Sequence, residues 1–320
     1  MESISGLQIA TYVFCALIVI IFIAKVVKYT KISTHLRWEL YPLAGERNRP
    51  WGGSYLEEPE WWTKPREEKS FLGELKFMGQ EILFFREYYR LNRGYWYFVY
   101  PFHIGVSLFI GFCVLLLIGA LTMLGDVAVS AESANVWGRL VYYATLLTGG
   151  TGLVLSFLGC VGLFIRRMID KNLKPYTRRI EYFNLLFVFS VFLTGLLSWA
   201  LIDHTFTTAR AYVKNLITFS PTGNIEPLIV THIILLLLIL AYMPFTNMMH
   251  FFAKWFTYHK VRWDDTPNLR GSKIEKKLEP LLNQPLSWSS PHIQPIRYWS
   301  DLAQVPTTEE PTPRVRKGVN

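Results

Sequence analysis

Polar and apolar positions in this chain sort into long blocks. Five stretches, Ile9 to Val27, Phe98 to Leu124, Leu140 to Ile165, Phe183 to Ile202 and Pro227 to Phe252, are nearly free of charge. A helix rising about 1.5 Å per residue needs close to 20 residues to cross roughly 30 Å of hydrocarbon, and every stretch meets that length. Segments embedded in lipid must satisfy their own backbone hydrogen bonds, which a helix does within one segment. The pattern therefore predicts an all-α membrane protein with five transmembrane helices. No basic region precedes the first stretch and it is long enough to span, so it is expected to be a retained helix and not a cleaved signal peptide.

The polar blocks carry their own signals. In the loop over residues 28–97, the middle part from Trp51 to Arg66 is rich in Gly, Pro, Trp and Glu and reads as irregular. Its second half sets Phe71, Leu75, Met78, Ile82, Phe85 and Tyr89 at steps of three and four, with Glu74, Gln80, Glu81 and Arg86 elsewhere around the helix. That spacing predicts a helix with one apolar stripe. Such a helix lies along the inner membrane face or packs on a soluble partner, and both readings need the same stripe. From Val261 onward the chain is polar and contains Pro267, Pro280, Pro285, Pro291, Pro295, Pro306, Pro311 and Pro313. Such a segment lacks the apolar surface to fold alone and is expected to drape over another protein. The organisation expected is a membrane domain over 1–260, including the cytoplasmic loop 28–97, and a partner-binding tail over 261–320.

Composition agrees with a membrane chain, with hydrophobic residues at 51% and a mean hydropathy of +0.22. A collagen-like or disordered chain is excluded. The net charge of +9 raises the question of nucleic acid, which the positions of the 33 basic residues answer. Twelve lie in 28–97, six in 166–179 and eleven in 254–320, whereas the intervening segments hold Lys25, Arg139, Arg210 and Lys214. The bias alternates in step with the spans, so it reports orientation: N-terminus outside, long first loop inside, C-terminus cytoplasmic. Cys15, Cys113 and Cys160 fall in three different apolar runs, with no ligand spacing among them. Covalent c-type haem, a cysteine-rich iron–sulfur site and a disulfide framework are excluded for this chain.

Chemistry in lipid has to come from polar groups held within spans, because burying them is costly unless they are used or paired. His35, His259 and His292 lie in inner polar segments, whereas His103, His232 and His250 lie within spans and His204 at the outer end of the fourth. His232 and His250 are 18 residues apart, which on a continuous helix is five turns and roughly 27 Å, one near each membrane face and both pointing the same way. His103 enters the second span near its inner end, at the depth of His250. Two neutral imidazoles from neighbouring helices at one depth are what six-coordinate haem iron requires; the plainer alternative is a hydrogen bond between helices. His232 would ligate a second haem, its partner being Cys113, ten residues beyond His103, or His204; a cysteine there also serves as a small apolar filler. Asp203, His204, Arg210 and Lys214 form an outer titratable cluster suited to a quinone site, or else simply end the fourth helix. Arg93, Arg166, Arg167, Arg178 and Arg179 sit at the inner boundary, where they pair with haem propionates or only set topology. Gly149, Gly150, Gly152, Gly159 and Gly162 in the third span permit close packing or room for a porphyrin, and Pro244 should bend the fifth helix.

Five spans with the N-terminus outside, a histidine on the second and a pair 18 apart on the fifth resemble the gamma subunit of respiratory nitrate reductase, a dihaem cytochrome b. In that family the second span carries two histidines ten apart, and here the second position is Cys113. The loop motifs Arg37-Trp38-Glu39-Leu40-Tyr41-Pro42, Gly52-Gly53-Ser54-Tyr55 and Glu60-Trp61-Trp62-Thr63-Lys64-Pro65-Arg66 are similar to those of the cytochrome b subunits DsrM, TmcC and HmcE of sulfate- and sulfite-metabolism complexes. The resemblance implies two haem b groups, a menaquinone or menaquinol site, residence in the cytoplasmic membrane and a cytoplasmic iron–sulfur subunit related to heterodisulfide reductase. It also implies other membrane subunits and a periplasmic multihaem cytochrome. A haem chain without cluster cysteines would pass its electrons to such a partner. A proton-relaying transporter and a haem-free anchor for a cytoplasmic enzyme are the competing readings.

Overall fold

The computed structural model describes residues 4–31, 71–250, 270–285 and 298–300. The loop motifs, His35, His259, His292 and most of the tail prolines lie outside the described residues. The chain divides into two compact units, Met1–Val27 with Phe71–Phe252, and Lys28–Ser70 with Ala253–Asn320.

In the first unit the helices are α1 (Gly6–Thr30), α2 (Phe71–Phe84), α3 (Arg86–Leu91), α4 (Arg93–Leu124), α5 (Val136–Ile169), α6 (Arg179–Leu201), α7 (Thr207–Ile217) and α8 (Pro227–Tyr242). Five are long and apolar enough to cross a membrane: α1, α4, α5, α6 and Pro227–Phe245, which begins with α8. No β-strand occurs among the described residues. The protein is thus an all-α, multi-pass membrane protein.

Helices α4 and α5 pack most intimately, and the glycines of α5 explain it. A Cβ at Gly152 would come within 2.9 Å of the Phe109 amide nitrogen, and one at Gly159 would strike the Phe102 backbone. Small residues let two backbones approach in lipid, where dispersion replaces the hydrophobic drive. Close packing, one of the two expected uses, is therefore what these glycines do. From α5 the packing passes to α6 and from α6 to α8, around a core that includes Phe109, Phe112, Leu153, Val191, Phe192 and Phe206. Helices α4 and α8, in contrast, make no close backbone packing with each other.

Helix α7 lies against α4 at the end expected to face outward. Its first turn is capped by buried Asp203, whose carboxylate oxygens accept the Thr207 and Ala209 amides at 2.8 and 3.0 Å. Helix α1 is fastened there by polar bonds. Fully buried Gln8 donates to the Ser220 carbonyl at 2.8 Å and accepts from the Thr222 amide at 3.2 Å, and Tyr12 donates to the Leu216 carbonyl at 2.7 Å.

Two expectations are corrected. The stripe helix expected over 71–89 breaks at Phe85, whose φ of 50° and ψ of 48° end α2 and start α3. The fifth apolar run is not one helix. It leaves the α-helix at Tyr242 and continues as short 3-10 turns over Met243–Phe245 and Asn247–Met249, with Thr246 extended between them. Pro244 has no amide to continue the ladder. Thr246 repairs part of the loss: its hydroxyl accepts the Met248 amide at 3.1 Å and donates to the Met243 carbonyl at 2.9 Å. The relation of five uninterrupted turns between His232 and His250 therefore does not hold.

In the second unit a helix α9 (Lys273–Leu282), capped by the Ser272 hydroxyl on the Glu275 amide at 3.1 Å, buries Leu278. An isolated antiparallel bridge joins Pro285 and Tyr298. The Pro-rich composition of the tail did not predict this helix.

Candidate functional site

His103 and His250 face each other. Their ring centroids are 6.0 Å apart and their planes meet at 73°. His103 comes from α4, two residues after Pro101, and His250 follows the 3-10 turn at Asn247–Met249. The break in the fifth span is thus what presents His250. His103 Nδ1 lies 2.8 Å from the Val99 carbonyl, and His250 Nδ1 3.1 Å from the Asn247 carbonyl. A carbonyl only accepts, so each Nδ1 carries the proton and each Nε2 keeps its lone pair in the neutral ring. That is the arrangement of a ligating histidine fixed by a backbone partner. Phe85 and Phe102 pack beside His103, at 5.0 and 5.2 Å between ring centroids.

His232, on α8, is built the same way but held by another helix. Its Nδ1 is 3.1 Å from the Val191 carbonyl and 3.3 Å from the Thr194 hydroxyl, both on α6. Gly195 makes the hollow for the ring, since a Cβ there would come 2.7 Å from His232 Cε1. Phe109 of α4 meets the ring edge-on at 6.3 Å. Cys113, one turn further along α4, is exposed. Among the described residues no three His, Cys, Asp or Glu side chains gather as a metal cluster. The donor set available is the imidazole nitrogens, which suits iron held in a macrocycle and not a bare ion.

At the outer end the structure brings Asp203 and Arg210 to the first turn of α7. Arg210 is 1% exposed, and its Nε and Nη2 have no hydrogen-bond partner among the described residues. Burial pulls its guanidinium below the usual range, and the nearby Asp203 carboxylate opposes that shift. His204 is exposed and locked to Trp199: its Nδ1 donates to the Trp199 carbonyl at 2.9 Å and its own carbonyl accepts the Trp199 indole at 3.0 Å. Lys214 lies one turn beyond Arg210 on α7.

The boundary arginines are mostly committed to carboxylates. Arg166 pairs with Asp170 at 2.9 Å, Arg167 with Glu181 at 2.8 Å, and Arg178 with Glu181 at 3.3 Å, while Arg93 lies over the Tyr89 ring at 4.8 Å. Sequence reasoning missed Val191, Thr194 and Gly195, the cradle of His232. A small polar residue followed by glycine inside an apolar run was the only trace of it. It also missed Phe85, whose role depends on a backbone turn.

Five spans, with His103 of the second facing His250 at the broken end of the fifth, define a multi-pass membrane helical bundle. The chain belongs to the nitrate reductase gamma subunit family, whose model matches residues 93–264, more than half of its length. A curated relative, the Hdr-like menaquinol oxidoreductase cytochrome b-like subunit of Archaeoglobus profundus, is 23% identical over 152 residues, 42% of this chain and 44% of the relative. This chain thus spans less than half the length of that relative. No solved structure matches.

Proposed function

We propose that this protein is the haem b membrane subunit of a respiratory redox complex. It moves electrons between menaquinol or menaquinone in the bilayer and a cytoplasmic iron–sulfur subunit of the heterodisulfide-reductase type. The observation that carries the proposal is the His103–His250 pair: two imidazoles, each with its Nδ1 proton on a backbone carbonyl and its Nε2 lone pair free, 6.0 Å apart between α4 and the broken end of the fifth span. A hydrogen bond between helices, the plainer use of membrane histidines, would join the rings directly, and here both Nδ1 protons go to the backbone. The family match and the name of the archaeal relative support the same reading.

His103 and His250 would hold an inner haem, and His232 a second one nearer the outer end, with Cys113 of α4 as its other neighbour. Haem supplies one-electron transfer when bound. The chain's own part is to fix the imidazole tautomers through the Val99, Asn247 and Val191 carbonyls and to surround the rings with phenylalanines that exclude water. Arg93, Arg166 and Arg167 would meet haem propionates at the inner boundary, Arg166 and Arg167 while held in place by Asp170 and Glu181. The quinone site is placed at the outer cluster. Asp203 spends its oxygens on α7 amides, so His204, exposed and pinned to Trp199, is the residue that exchanges the quinol proton there. Arg210 and Lys214 supply positive charge for the developing oxyanion.

The test is a reduced-minus-oxidised spectrum with a haem count per chain. Two b-type haems are expected. His103→Ala and His250→Ala should each remove the same one, His232→Ala the other, and His204→Ala should slow quinol-dependent reduction at full haem content. Full haem in both inner variants overturns the inner site. Normal reduction in His204→Ala with no proton release at the outer face overturns the outer quinone site.

A further inference from the structure

Phe85, the residue between α2 and α3, is an odd choice for its place. A backbone at φ 50° and ψ 48° suits glycine or asparagine and is uncommon for a bulky aromatic. Phe206 and Phe219 share this positive φ, and at Phe85 the chain secures it well. The Phe85 amide donates to the Glu81 carbonyl at 3.2 Å and its carbonyl accepts the Tyr89 amide at 3.0 Å. The Trp96 indole donates to the Phe84 carbonyl at 2.9 Å, stacks on Tyr100 at 4.5 Å and 9°, and meets Tyr89 edge-on at 5.1 Å. An aromatic cluster from α3 and α4 thus clamps the elbow.

What the elbow delivers is a ring. Phe85 lies 5.0 Å from the His103 imidazole, inclined at 50°, and 6.4 Å from Tyr100. Phe102 stands nearly perpendicular to the same imidazole, at 88°. The bond from Nδ1 to the Val99 carbonyl fixes the tautomer of His103, but one hydrogen bond leaves the ring free to twist about it. The flanking phenyl rings are what set the plane. We propose that Phe85 is a positioning residue for the inner site: with Phe102 it holds the His103 imidazole in its plane, 73° from that of His250, and covers that side of the site against water. This inference rests on the inner-haem reading.

The orientation of two axial imidazoles is read in the ferric low-spin resonance spectrum, where near-perpendicular planes give a strongly anisotropic signal and near-parallel planes a rhombic one. Water exclusion is read in the midpoint potential, which burial raises for a cationic ferric site. The informative variant is Phe85→Gly, which suits the left-handed backbone and removes only the ring. In the haem-loaded complex, Phe85→Gly and Phe85→Ala should lose the strongly anisotropic inner signal, lower the inner midpoint potential and transfer haem to apomyoglobin roughly two- to tenfold faster, the range of one lost aromatic contact. Phe85→Tyr should restore all three. If Phe85→Gly keeps the wild-type signal, potential and transfer rate, Phe85 only shapes the turn and the proposal is wrong. If instead His103→Ala retains the inner haem, the haem reading itself has failed, and the Phe85 inference falls with it.

Discussion

Gly195 offers the most local test of the outer histidine. It lies on α6 between Thr194 and Leu196, one turn past Val191, so one stretch of helix supplies both the carbonyl that orients His232 and the hollow that receives its ring. A methyl group at Gly195 would sit 2.7 Å from His232 Cε1, 2.8 Å from Leu153 Cδ2 and 3.2 Å from His232 Nδ1. Carbon atoms in contact stand about 3.5 Å apart or more, so the ring must give way by roughly 0.8 Å. It cannot do so freely, because Leu153 of α5 crowds the same methyl and a shift of the ring strains its 3.1 Å bond to the Val191 carbonyl. Overpacking of this kind costs about 1–3 kcal/mol, which, with His232 ligating the second haem as proposed, is roughly a 5- to 150-fold loss of haem affinity. Gly195→Ala should therefore insert normally and keep the inner haem while losing the second one, wholly or on dilution. Haem per chain and the difference spectrum measure it. Gly111→Ala is the control: nothing lies within 4 Å of its added methyl, and alanine is the better helix former. Equal haem content and spectra for Gly195→Ala, Gly111→Ala and wild type would refute the idea that α6 positions a ligand.

Two further outcomes concern the outer end. Gln8→Leu strips partners from the Ser220 carbonyl and Thr222 amide at about 1–3 kcal/mol for buried groups left unpaired, so the 218–226 segment should become sensitive to protease with haem content unchanged; unchanged protection would mean that α1 is held by packing alone. Asp203→Asn cannot accept both α7 amides and removes the charge facing Arg210, so thermal stability should fall by about 1 kcal/mol or more, and a stability equal to wild type would show that α7 does not need its cap.

The spans were legible because lipid imposes a simple rule, about twenty apolar residues per crossing; four of the five runs found by that rule are single helices, and the fifth is α-helical as far as Tyr242. The histidines were legible because polar groups are rare in such runs. What the rule could not reveal is where a span stops being a helix. Pro244 pointed to a bend, but the extension at Thr246 and the 3-10 turns that follow depend on a threonine hydroxyl serving two backbone groups at once. Helix α7 was equally hidden. Its sequence, TTARAYVKNLI, has no apolar run, and it folds because Asp203 caps it and α4 receives it. The stripe over 71–89 gave the correct helical period and missed its interruption, since nothing about phenylalanine announces a left-handed backbone.

The histidines differ in what their orientation depends on. His103 and His250 are each oriented by a carbonyl of their own segment, four and three residues before them, so their tautomers survive any movement of neighbouring helices, while their facing distance depends on how α4 and the broken end of the fifth span are set apart. His232 has the opposite dependence: its tautomer is fixed by α6, and it keeps its direction only while α6 and α8 remain packed. A break in the fifth span reconciles these needs. A straight helix continuing beyond Tyr242 would be bound by the packing of α8 on α6 along its whole length. Leaving the α-helix there frees the chain that carries His250 from that constraint, so that it can face His103 on α4 while the rest of the span stays locked around His232.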